Sequence, residues 1–117
     1  MAHTTKGQTF HRESNQRRAL IKSLARSLVL EERISTTEAK AKALRPFIER
    51  LVTYAKKNTL ASRRLTQVRL GDKVAVKKLF DSIGPRYATR AGGYTRVVKR
   101  TKRGSNDARK LAYIAFV

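Results

Sequence analysis

The 117-residue chain contains no cysteine and no tryptophan, two prolines, six glycines, and 8 carboxylates against 28 lysines and arginines. Each shortage excludes something. Without cysteine there are no disulfides and no thiolate metal sites, which fits a reducing compartment. No apolar run approaches the ~20 residues of a transmembrane helix. No apolar stretch precedes Ala19, as a secretory signal would require, so the cytoplasm is the expected location. The only histidines, His3 and His11, lack the neighbouring ligands that a tetrahedral metal site needs. The carboxylates are scattered, and four of them (Glu31, Glu32, Glu38 and Glu49) fall near helix ends or among basic residues. Neither histidine has an evident nucleophile partner, and no phosphate-gripping glycine loop precedes a helix. The expectation is a chain with no catalytic residues, no metal, no cofactor and no small-molecule substrate.

What the chain does have is positive charge, +20 net, with 40% hydrophobic residues, enough for a modest single-domain core. A free protein with that charge repels itself, so a polyanionic partner is implied, nucleic acid ahead of a membrane surface. The charge runs the length of the chain and is heaviest in the last third. A basic tail on a neutral body would look different; here the folded body itself is expected to touch the partner.

The densest stretch is Gly84 to Arg103, GPRYATRAGGYTRVVKRTKR, within an acid-free run from Ser82 to Asn106. Arg86, Arg90, Arg96, Lys99 and Arg100 can track a phosphate backbone, and Gly92-Gly93 allows close backbone approach. Tyr87 and Tyr94 can either stack on bases or pack in the core. A solvated basic loop is the plainer alternative, but strand-forming residues and glycines would hold these charges in place.

Taken in order, residues 1–13 are polar and aperiodic and read as an extended arm ahead of a single domain spanning 14–117. Ser14 is expected to cap a helix running to about Leu30, with Ile21, Leu24, Ala25 and Leu28 as its buried stripe. Arg18, Lys22 and Arg26 form a separate basic stripe. Arg33 to Thr37 predicts a short strand entering a helix capped by Thr36 or Thr37, and that helix runs to about Lys57 with Leu44, Phe47, Ile48, Leu51, Val52 and Ala55 inward. Pro46 predicts a kink or a restart within it. Asn58-Thr59 caps a shorter helix from Leu60 to Leu70, with Leu65 and Val68 inward and Arg63-Arg64 near its start. A third short helix carries Val76, Leu79, Phe80 and Ile83, with Gly84-Pro85 ending it. Tyr94–Arg100 and the apolar Leu111–Val117 read as strands pairing as a hairpin, the second of them buried. With the strand near Ile34 this makes a small three-stranded sheet packed against helices, a two-layer α+β fold.

Several of these residues also carry a resemblance. Ile34-Ser35-Thr36-Thr37, Lys40-Ala41-Lys42, Glu49, Leu51-Val52-Thr53 and Ala55-Lys56 are similar to the signature of the bL17 family of bacterial large-subunit ribosomal proteins. Leu60 with Arg63-Arg64, Lys78-Leu79-Phe80, Gly84-Pro85-Arg86-Tyr87, Arg90 and Gly92-Gly93-Tyr94-Thr95-Arg96 resemble its second block, and Ala112-Tyr113-Ile114 its final strand. In the arm, His3, Gly7, Arg12 and Arg17 match, whereas Ala2, Thr4 and Gln8 stand where the family usually has Arg. The resemblance implies the order α-β-α-α-α-β-β, binding to 23S rRNA near the peptide exit, and ribosomal neighbours including L-thirty-two. The RNA-binding set it suggests, with the residue-based reading, is His3, Lys6, Arg12, Arg17, Arg18, Lys22, Lys40, Lys42, Arg63, Arg64, Arg86, Arg90, Gly92, Gly93, Tyr94, Arg96, Lys99 and Arg100. Two rival readings share the charge. A DNA-packaging protein would need a groove-reading helix or wedge arm that is not evident here. An RNA-processing enzyme would need the active site that the sequence does not display.

Overall fold

In the computed structural model, residues 13–100 and 110–117 are described. The expected arm, with His3, Lys6 and Arg12, and most of the loop joining the last two strands lie outside them. Helix α1 (Ser14–Glu31) leads into strand β1 (Arg33–Thr37), then α2 (Glu38–Lys57), α3 (Leu60–Leu70) and α4 (Lys73–Lys78). A π-helical turn (Leu79–Ile83) and a last helical turn (Gly84–Arg86) follow, before β2 (Thr95–Lys99) and β3 (Leu111–Phe116). The strands form one antiparallel sheet in the order β1-β3-β2. Ile34 lies opposite Ile114, and Ile114 opposite Val97.

Helix α2 is the centre of the packing. Thr37 caps it, its hydroxyl accepting from the Lys40 amide at 3.3 Å. Ala41, Leu44, Ile48, Leu51, Val52 and Ala55 are buried along one side. Each fully buried Leu or Ile contributes about 1.5–3 kcal/mol relative to exposure. The helix runs through Pro46 without a restart. Ala25, Leu28 and Val29 of α1 and Ala112 and Ile114 of β3 close the same core. Helix α1 begins one residue earlier than its serine suggests, because the first intrahelical carbonyl is that of Glu13, which accepts from the Arg17 amide at 2.9 Å.

Two expectations fail for identifiable reasons. In α3 the inward residues are Ser62, Thr66 and Leu70, while Leu65 and Val68 are 38% and 72% exposed. Small hydroxyl side chains can be buried here because each is satisfied locally. Thr59 and Ser62 form a reciprocal capping box, and Thr66 donates to the Ser62 carbonyl at 2.8 Å. The chain also stays helical past Gly84-Pro85, since proline is tolerated where a new helical turn begins. Gly84 is buried against α2: a Cβ there would stand 2.9 Å from the Ala55 Cβ and 3.1 Å from its backbone. That glycine is needed for close approach, not for a turn.

Candidate nucleic-acid interface

Four of the described carboxylates, Glu32, Glu38, Glu49 and Asp72, serve the scaffold. Asp72 caps α4 through the Val74 and Ala75 amides. Glu38 pairs with Lys42 at 2.9 Å and faces Lys99 at 3.6 Å, which hold its carboxyl below the usual range, the Lys42 hydrogen bond foremost. Glu49 reaches from α2 to the start of β2. Its Oε1 accepts from the Tyr94 amide at 3.1 Å, and its Oε2 accepts from the Thr95 amide at 2.8 Å and the Thr95 hydroxyl at 2.6 Å.

The segment between Arg86 and β2 is pinned at further points. Lys56 donates to the Arg90 carbonyl and, at 2.8 Å, to the Tyr94 hydroxyl. Tyr87 and Tyr94 lie with ring centroids 5.4 Å apart, and the Tyr87 hydroxyl donates to the Val117 carbonyl. Arg90 Nε donates to the Gly92 carbonyl at 3.0 Å, and Gly93 takes a positive φ of 65° that other residues rarely adopt. With Glu49 engaged inward, the exposed charge of this segment is that of Arg90 and Arg96, with Lys99 and Arg100 at the far end of the strand. A fixed backbone carrying exposed cations is the arrangement that neutralises phosphates without ordering the protein at the moment of binding.

A sequence profile of the family described as Ribosomal protein L17 matches residues 20–117 of this chain. The chain belongs to the ribosomal protein L17 family. Across its full length it is 54% identical to the large ribosomal subunit protein bL17 of Hydrogenobaculum sp., covering 99% of that protein. It is 49% identical to bL17 of Persephonella marina and 48% identical to bL17 of Thermomicrobium roseum, covering 95% and 99% of those chains. Membership makes this a ribosomal protein, not an enzyme.

Within this L17-family chain the sequence-named residues separate into groups. Arg18, Arg63, Arg64, Arg90, Arg96 and Arg100 are exposed, and Arg17, Lys22 and Lys40 are half-buried. Arg63 lies over the Phe80 ring at 5.1 Å. Lys42 and Lys99 share Glu38 but remain largely open to solvent. Gly92 has open space where a Cβ would stand, so nothing among the described residues requires glycine there. Tyr94 is 3% exposed and Tyr87 5%, so both rings pack in the core. Lys22 also lines a groove of about 630 Å³ between α1, α2 and α3, where Arg18 and Arg69 lie beside the apolar Ala19, Phe47, Leu65 and Val68. The outward Leu65 and Val68 make that groove, which is why the inward assignment of α3 concealed it.

Arg86 stands apart. Its guanidinium grips Glu32 with two bonds, at 2.6 and 3.1 Å, while Lys78 approaches the same carboxylate at 3.3 Å. The Arg86 hydrogen bond, against the opposing effect of burial, lowers the Glu32 carboxyl from 4.5 to about 2. A carboxyl depressed in the folded state stabilises above its ordinary value of 4.5 and loses that contribution as pH falls toward about 2. Because the cluster is about one-third exposed, solvent screens the effect. Urea midpoints of the wild type and Glu32→Gln should therefore differ at neutral pH and converge as pH falls from 4.5 toward about 2. A gap unchanged by acid would rule out this ion cluster as its source.

The sequence reading missed Arg33 and Tyr113. Both lie on the sheet surface away from the helices, Arg33 with its Cζ 3.9 Å from the Tyr113 ring centroid. The available signal was the alternation in Arg33–Thr37, but the unbroken apolar run of β3 hid the matching outward face.

Proposed function

We propose that this protein is a structural, non-catalytic constituent of the large ribosomal subunit that binds 23S rRNA through phosphate contacts in the cytoplasm. The family match over residues 20–117 carries the reading. The charge distribution supplies its mechanism: a net +20 chain with Glu32, Glu38, Glu49 and Asp72 engaged in internal bonds leaves cations outward on α1, α3 and the Arg90–Arg100 segment. In this proposal the arm residues His3, Lys6 and Arg12 and the helix residues Arg17, Arg18, Lys22, Lys40, Lys42, Arg63 and Arg64 also bind the RNA, with residues 14–117 acting as one domain. The protein neighbours, L-thirty-two among them, are proposed on the family resemblance. The groove beside Leu65 and Val68 suits a protein contact better than a phosphate.

The decisive experiment is co-sedimentation with large subunits over a salt series, alongside binding to isolated 23S rRNA and to duplex DNA. Affinity for rRNA should fall by about 0.7–0.9 log units per phosphate contact for each tenfold rise in salt, and high salt should strip the protein from the subunit. Salt-insensitive association, or tighter binding to duplex DNA than to rRNA, would sink the proposal.

A further inference from the structure

We propose that the open face of the sheet is a platform for an unpaired RNA base, which lies on the Arg33 guanidinium backed by the Tyr113 ring. The inference rests on the rRNA-binding reading and names one surface that does the reading of unpaired nucleotides.

Strand alternation places residues 33, 35, 96, 98, 113 and 115 on the side opposite the core residues Ile34, Ala112 and Ile114. The register then sets two rows across the three strands, Arg33–Ala115–Arg96 and Ser35–Tyr113–Val98. Tyr113 is thus the central side chain of the face, with both arginines diagonal to it, within reach of long side chains. Arg100 reaches in from the end of β2, its Nη1 3.5 Å from the Ser35 hydroxyl.

Three features point to RNA as the occupant. No described carboxylate belongs to this face; Glu32 and Glu38, which flank β1, are engaged by Arg86 with Lys78 and by Lys42 with Lys99. Among the described residues, Arg33, Ser35, Arg96 and Arg100 are exposed and Tyr113 is half-buried. The Arg33–Tyr113 stack presents a flat, already ordered cationic surface of the kind on which bases stack, so little side-chain entropy remains to be lost on binding. Arg96 and Arg100 stand where they can take the flanking phosphates. A rigid duplex could use only those charges; the stack is useful only to an unpaired base.

The test uses the full chain with a single-stranded oligoribonucleotide carrying 2-aminopurine, and the same strand paired in a duplex. The fluorophore should be quenched in the single strand on binding. Arg33→Lys keeps the charge but removes the plane, and Tyr113→Leu removes the support. Each should weaken single-strand binding about tenfold with little change for the duplex. Tyr113→Phe should match the wild type, because the hydroxyl has no part in the stack. A photo-crosslinker at the exposed Ser35, read in assembled large subunits, should capture rRNA. The platform is overturned if Arg33→Lys leaves binding and quenching unchanged, if single strand and duplex weaken equally, or if the crosslink goes only to protein. Salt-dependent binding of 23S rRNA without quenching would remove the platform and leave the general function standing. Absence of any rRNA binding would remove both.

Discussion

Replacing Glu49 with alanine should destabilise the fold by about 3 kcal/mol, lowering Tm by roughly 10–15 °C. The cause is local. Thr95 is 2% exposed, and both its amide and its hydroxyl donate to Glu49. A third donor, the Tyr94 amide, uses the other carboxylate oxygen. Truncating the acid leaves buried donors without partners, and each costs about 1–3 kcal/mol when nothing replaces the bond. Glu49→Gln keeps one accepting oxygen but turns an amide donor toward the second site, so it should fall between the two. Urea denaturation measures the loss. Amide hydrogen exchange at Tyr94 and Thr95 locates it, since protection there should fall before it falls in α2. A Glu49→Ala variant within 1 kcal/mol of wild type, with those amides still protected, would show that β2 is held by its pairing to β3 alone.

The second large effect is on binding. Changing Arg90, Arg96 and Arg100 together to alanine should lower the salt slope for rRNA by about 2–3, and at physiological salt reduce affinity on the order of a hundredfold or more. Folding should change little, because none of the three pairs with a carboxylate in the bonds described above. Arg86→Ala should do the reverse: its guanidinium is committed to Glu32, so stability suffers more than RNA affinity. Filter binding across a salt series, with melting curves on the same preparations, separates the two. Equal losses of RNA affinity from Arg86→Ala and from the triple variant would contradict this division.

That division shows where the sequence was legible. Thr37 and Thr59 announce their caps through short-range chemistry, and those caps fall where expected. The period of α2 marked its buried side because every member is apolar. The acid-free stretch after Ser82 marked the basic segment for the same reason: composition is visible without a fold. What stayed hidden depends on residues far apart in the chain. Glu32 and Arg86 are 54 positions apart, so no local pattern pairs them. Ser62 and Thr66 look like surface residues until their hydroxyls are seen to be satisfied within their own turn. Tyr113 sits in a run so apolar that both of its faces read as interior, and only the register with β1 and β2 shows which one is open.

The strand order has a consequence for the timing of synthesis. Among the described residues, β1 and β2 each pair with β3 and not with one another. As the chain emerges, the helices can gather around α2 through contacts close in sequence, which form fastest. Both earlier strands must wait, unpaired and positively charged, until Leu111–Phe116 has been made and slides between them. The nascent protein therefore holds an unfinished sheet for most of its birth, and the arginine-bearing face comes into existence in a single late step.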